Sequence, residues 1–201
     1  MSDLPIKSPL KIELQAGSEP QLSFAGVSII GPVDTVPEDG PVRDWFQELG
    51  LPKDWEQLDH LAQPRDFADR FARVIVVDES QTRFPGAWRF RPSEIAFQQG
   101  GCLLTLAHLG LVIGQCIFLH VNPAGAVPEA EGMCLTATVT FYDSDLATAA
   151  WRGIASNIFT HVSAIVVRPP EAPPGGGELI EIGLVDSPGC PGARVLRWWE
   201  A

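Results

Sequence analysis

"CLLTLAHLGLVIGQCIFLHV", Cys102 to Val121, is the stretch on which the fold turns. It is apolar and β-branched at many positions, and it reads as strand. "MCLTATVTFYD" (Met133–Asp143) reads the same way, and a Pro/Gly/Glu loop at 123–132 separates the two. Working outward, "SDLATAAWRGIA" is the clearest helix. Asp143 or Ser144 caps it, and Leu146, Ala149, Ala150 and Ile154 form one stripe. "NIFTHVSAIVVRPP" follows as a strand, "EAPPGGG" as a loop, and "ELIEIGLVDSP" and "ARVLRWW" as the closing strands.

Upstream, residues 1–20 are polar and Pro-punctuated and read as an arm. Residues 21–201 then form a single domain. "LSFAGVSIIG" (Leu22–Gly31) reads as a strand closed by Gly-Pro. Residues 37–72 read as a helical insertion of three short helices, the last being "PRDFADRFA". Trp45, Phe46 and Trp55 pack these helices on the strands rather than forming a ligand cage. "RVIVVD" (Arg73–Asp78) is a strand, and "PSEIAFQQGG" (Pro92–Gly101) a short helix. The expected fold is α+β, mainly β: a closed or nearly closed barrel of six to eight mostly antiparallel strands flanked by helices. Trp198 and Trp199 should face opposite ways, the outward one being a candidate dimer contact.

Charge and composition exclude several functions. Formal net charge is −11, from 14 basic and 25 acidic residues. That argues against a nucleic-acid groove or binding to an anionic membrane, both of which need basic patches. No basic head followed by an apolar run opens the chain, and no apolar run approaches a membrane span. The cysteines Cys102, Cys116, Cys134 and Cys190 form no CxxC pair and read as reduced thiols of a cytoplasmic protein.

Three polar residues stand in apolar strands: His108, Ser163 and Glu181. By alternation Ile180, Ile182 and Leu184 share one strand face and Leu179, Glu181, Gly183 and Val185 the other. Both faces are otherwise apolar near Glu181, so a carboxylate there needs a partner. A histidine fits, and so does Arg194 or Arg197. A serine becomes nucleophilic when a base stands beside it and a third group orients the base. The plainer reading makes Ser163 a core serine bonded to a neighbouring strand.

At these residues the chain resembles the prohead maturation proteases of tailed phages, distant relatives of the herpesvirus assemblin protease. "FAGVSIIGPVDTV", "LLTLAHLGLVIGQC", "DLATAAWRGIASNIFTHVSAIVV" and "LIEIGLVDSPGCPGARV" carry the resemblance, in the family's order, over roughly residues 22–196. It implies Ser163 as nucleophile, His108 as general base and then acid, and Glu181 as the group that orients His108. Related viral proteases fill the third place with a second histidine. His161, two positions from Ser163 on the same strand face, is the alternative, and His120 a weaker one. Gly183 departs from the family, which commonly has serine there; the position is not catalytic and the change should be tolerated. The implied activity is cleavage of scaffold and major capsid proteins, and of the protease itself, inside the immature capsid in the host cytoplasm. No cofactor or metal is implied. Two other readings remain. One is a non-catalytic assembly module on the same barrel. The other is a metal site made from His108, His120, His161 and Cys116, which lack the short ligand spacing of such sites.

Overall fold

A computed structural model describes residues 22–24, 41–52, 55–62, 66–81, 90–97 and 101–201. Most of the strand expected at Leu22–Gly31 lies outside them, as do the arm at 1–20 and the side chain of Trp55. The fold is mainly β. Its strands are β1 (Leu22–Phe24), β2 (Phe67–Asp78), β3 (Ile95–Phe97), β4 (Cys102–Leu106), β5 (Leu111–Asn122), β6 (Cys134–Tyr142), β7 (His161–Val167), β8 (Gly177–Val185) and β9 (Arg194–Glu200). The helices are α1 (Pro41–Glu48), α2 (Trp55–Ala62) and α3 (Asp145–Ala155).

Hydrogen bonds run in order through β7, β9, β2, β6, β5, β4 and β8 and return to β7, closing a ring of seven strands. β1 pairs with β7 outside the ring, and β3 with β8. Pairing is antiparallel except where β8 lies parallel to β3 and to β4. Inside the ring Val74, Leu104, Ile113, Val139, Phe141, Val162, Ile182 and Leu184 are buried in one apolar core. Alternation explains this: each strand sends every second side chain inward.

The helices cover part of this core. Trp45, Phe46 and Leu58 belong to it. Trp45 meets Phe159 edge-on with ring centroids 4.8 Å apart. α3 begins at the Ser144 cap, whose hydroxyl accepts from the Ala147 amide at 3.2 Å. This leaves Asp143 without the capping role.

Two elements differ from the sequence reading. Phe67–Ala72 is strand rather than a third helix, so the helices before β2 end at Ala62. Cross-strand aromatic pairing decides it: Phe67 lies on Tyr142 at 5.2 Å, and Phe71 stacks on Trp199 at 5.5 Å. Between Pro92 and Phe97 a single 3₁₀ turn leads into β3, because the edge of β8 offers Ile95–Phe97 a partner. Trp198 packs edge-on against Trp151 of α3, while Trp199 lies against Phe71.

One buried charge is structural. Asp78 is fully buried. Its carboxylate accepts from the Ser80 amide (3.1 Å) and hydroxyl (2.7 Å), and from the amides of Glu131 (3.3 Å) and Gly132 (3.3 Å). The four donors satisfy the carboxylate, and the two from Glu131 and Gly132 tie the 123–132 loop to the end of β2.

Candidate active site

The site lies on the outer face where β4, β8 and β7 run side by side. Register aligns Thr105 with Gly183, and Gly183 with Ser163. Residues opposite one another share a sheet face, so Thr105, Gly183 and Ser163 form a row across three strands. Glu181 stands two residues before Gly183 on that same face, beside Leu103. The expected face pattern fails at one place. An irregularity opposite Ile165 and Val166 makes Ile180 an extra residue, so Leu179 turns into the core with Ile182 and Leu184. Glu181 thereby keeps an outward, partly open face.

His108 reaches this face through a strained turn. The Leu109 amide donates to the Leu106 carbonyl at 3.0 Å, so Ala107 and His108 are the central residues of a β-turn that opens the four-residue β4–β5 loop, Ala107–Gly110. Both are left-handed, with φ of 52° and 56°. That is the type I′ pattern, which asparagine and glycine usually supply. Holding Ala and His there costs about 1–2 kcal/mol per residue. The Ala107 amide donates to the Leu184 carbonyl at 2.9 Å, tying the turn to β8. The imidazole then folds back over Gly183. A β-carbon added to Gly183 would lie 2.7 Å from His108 Cε1, 2.8 Å from Nδ1 and 3.0 Å from Nε2. The ring fills the space a side chain would take. Glycine at 183 leaves room for the ring; a serine there would require the imidazole to shift.

His108 Nδ1 is 2.6 Å from Glu181 Oε1, and the two side chains are 15% and 16% exposed. A carboxylate only accepts, so Nδ1 carries the hydrogen and the neutral ring keeps its lone pair on Nε2. The Thr105 hydroxyl donates to the same Glu181 Oε1 at 2.6 Å. Glu181 thus bonds His108 and Thr105, and neither Arg194 nor Arg197.

Ser163 is 2% exposed. Its Cβ stands ~4.5–5.5 Å from the place of the missing Gly183 Cβ, by ordinary cross-strand spacing. The imidazole therefore lies beside it. Among the described residues the Ser163 hydroxyl has no hydrogen-bond partner.

Among the described residues neither alternative histidine bonds His108 or Glu181; His161 lies one row from Ser163 on β7, opposite Val185. His161 Nδ1 is 2.9 Å from the Thr160 hydroxyl, and His120 lines a shallow recess with Arg73, Phe118 and Thr136 on another part of the sheet. Cys116 faces Cys102 across the hairpin, and both are buried thiols. Among the described residues no three His, Cys, Asp or Glu side chains gather to hold a metal ion. No described helix is long and apolar enough to cross a membrane.

The sequence reading missed Thr105 and the use of Gly183. A threonine in a strand has an ordinary β-branched reason to be there. The only signal was its place three residues before His108. No protein-family model, curated protein or solved structure matches the chain.

Proposed function

We propose that the chain is a serine endopeptidase of the prohead-maturation type, and we read its seven-strand ring as a barrel. One juxtaposition supports this. The imidazole of His108 is bonded to Glu181 at 2.6 Å and seated on Gly183, the cross-strand partner of Ser163. In the mechanism, Ser163 Oγ attacks the scissile carbonyl while His108 Nε2 takes its proton. The tetrahedral adduct collapses as His108 gives that proton to the leaving amine, and an acyl-enzyme remains. Water, deprotonated by the same Nε2, releases the acid and restores the serine. Glu181 holds the ring and stabilises the imidazolium through Nδ1. Left-handed strain at His108 fits a preorganised group.

Scaffold and major capsid proteins as substrates, and an immature capsid in the host cytoplasm as the place, follow from the sequence resemblance alone. One observation favours a second reading, a non-catalytic assembly module: no hydrogen bond joins Ser163 to His108. Apo sites often have such catalytic contacts open. The test is fluorophosphonate labelling of purified protein, read by intact mass. One adduct on wild type, and none on Ser163→Ala or His108→Ala, supports the protease. An unlabelled wild type favours the module.

A further inference from the structure

Two hydrogen bonds converge on one oxygen of Glu181. His108 Nδ1 approaches Oε1 at 2.6 Å, and the Thr105 hydroxyl donates to it at 2.6 Å. The threonine contact lies at the short end of O–H···O hydrogen bonds. Thr105 is 1% exposed and follows Leu104 in β4, a ring strand. The two donors are three residues apart in one segment that runs from strand into turn. They close on Glu181 from the neighbouring strand, as two arms of a clamp.

We propose that Thr105 is a positioning residue: it fixes the Glu181 carboxylate, and through it the imidazole of His108, relative to Ser163. This rests on the serine-hydrolase reading of the site. A strained four-residue loop is a poor support for a general base: among the described residues its backbone ties are the Ala107 amide to Leu184 and the Leu109 amide to Leu106. The clamp transfers the positioning to β4 and β8, which are paired from Leu103–Glu181 to Leu106–Leu184. Thr105 also lies in the same row as Gly183 and Ser163, so one line across three strands carries the nucleophile, the ring's seat and the anchor of the acid.

A merely structural threonine would need a partner for its buried hydroxyl and nothing more. Thr105→Val keeps the shape and removes the hydroxyl; Thr105→Ser keeps the hydroxyl. Three quantities separate the two roles: the rate of fluorophosphonate labelling, the low-field proton resonance of the His108 Nδ1–H, and the thermal midpoint. With positioning, Thr105→Val slows labelling by roughly tenfold to hundredfold, the scale of losing a partner that orients a reactive group. The low-field resonance shifts or is lost to exchange, and Thr105→Ser restores both. A folded Thr105→Val that labels at the wild-type rate with an unmoved resonance overturns the proposal. If wild type does not label, the protease reading fails instead, and the resonance alone decides whether Thr105 positions the pair. Should Thr105→Val not fold, Thr105→Ala is read by the same criteria.

Discussion

Replacing Gly183 by alanine is the sharpest perturbation of this site. The added methyl would sit 2.7–3.0 Å from three atoms of the His108 ring. Carbon atoms pack at about 3.5–4.0 Å, so the ring must retreat by about 1 Å. Retreat along the Nδ1–Oε1 direction stretches the 2.6 Å bond to Glu181 toward the outer limit of a hydrogen bond. A misplacement of about 1 Å costs on the order of 10² in rate. That equals about 2.7 kcal/mol of transition-state stabilisation. The fold should hardly notice. Gly183 has no positive φ, the group displaced is a side-chain end, and Gly→Ala gains about 0.4–1 kcal/mol through the unfolded chain. The assay pairs the fluorophosphonate labelling rate with a urea-denaturation midpoint. The expected result is labelling slowed about a hundredfold at near-wild-type stability. Gly183→Ser should behave alike. Labelling at the wild-type rate would refute the reasoning, because the ring would then not depend on its seat. A collapse of stability would also refute it, by making Gly183 a fold residue.

Ala107→Gly should stabilise the protein by roughly 0.5–1 kcal/mol in urea denaturation, since glycine accepts the left-handed turn at no steric cost. A lower midpoint would mean that the turn stores no strain. Asp78→Ala should destabilise by roughly 2–4 kcal/mol, measured the same way, because four donors lose a buried acceptor. A neutral result would show that water replaces the carboxylate. Burial pushes the Cys134 and Cys190 thiols up. The unfolded chain therefore loses these protons first, near about pH 8.5, and stability, fully present below that pH, falls as it rises. Urea midpoints at pH 7.5 and 9.5 check this, and a flat or rising midpoint refutes it.

How much of this was legible in the sequence depended on whether the cause was local. β4 to β9 announce themselves through alternation and β-branched runs, and α3 through its stripe and the Ser144 cap. Phe67 and Phe71 misled because their spacing of four is helical. Their real partners, Tyr142 and Trp199, lie far away in the chain. Ile95–Phe97 is strand only because β8 supplies an edge, which no local pattern reveals. In the site, His108, Ser163 and Glu181 stood out as polar groups among apolar neighbours. Their register did not, since it depends on which strands pair and on the extra residue Ile180. Nor did the left-handed turn, because Ala-His carries none of the usual turn chemistry. Nor did the sequence show that Gly183 makes room for the His108 ring.

The ring of strands has one thin joint. β7 and β9 meet at a single register pair, His161 with Arg194, flanked by the Val162 amide to the Ala193 carbonyl at 3.4 Å and the Val195 amide to the Thr160 carbonyl at 2.9 Å. Local opening costs least where the fewest contacts must break. Amide hydrogens should exchange sooner along this seam than along β2 and β6, which pair over most of their length. Ser163 is the next residue after Val162. β7 is thus paired along its whole length with β8, while its other edge is shared: β1 holds the Ile165–Val167 end and β9 meets only His161, so the loosest backbone lies at the end of the strand nearest Ser163.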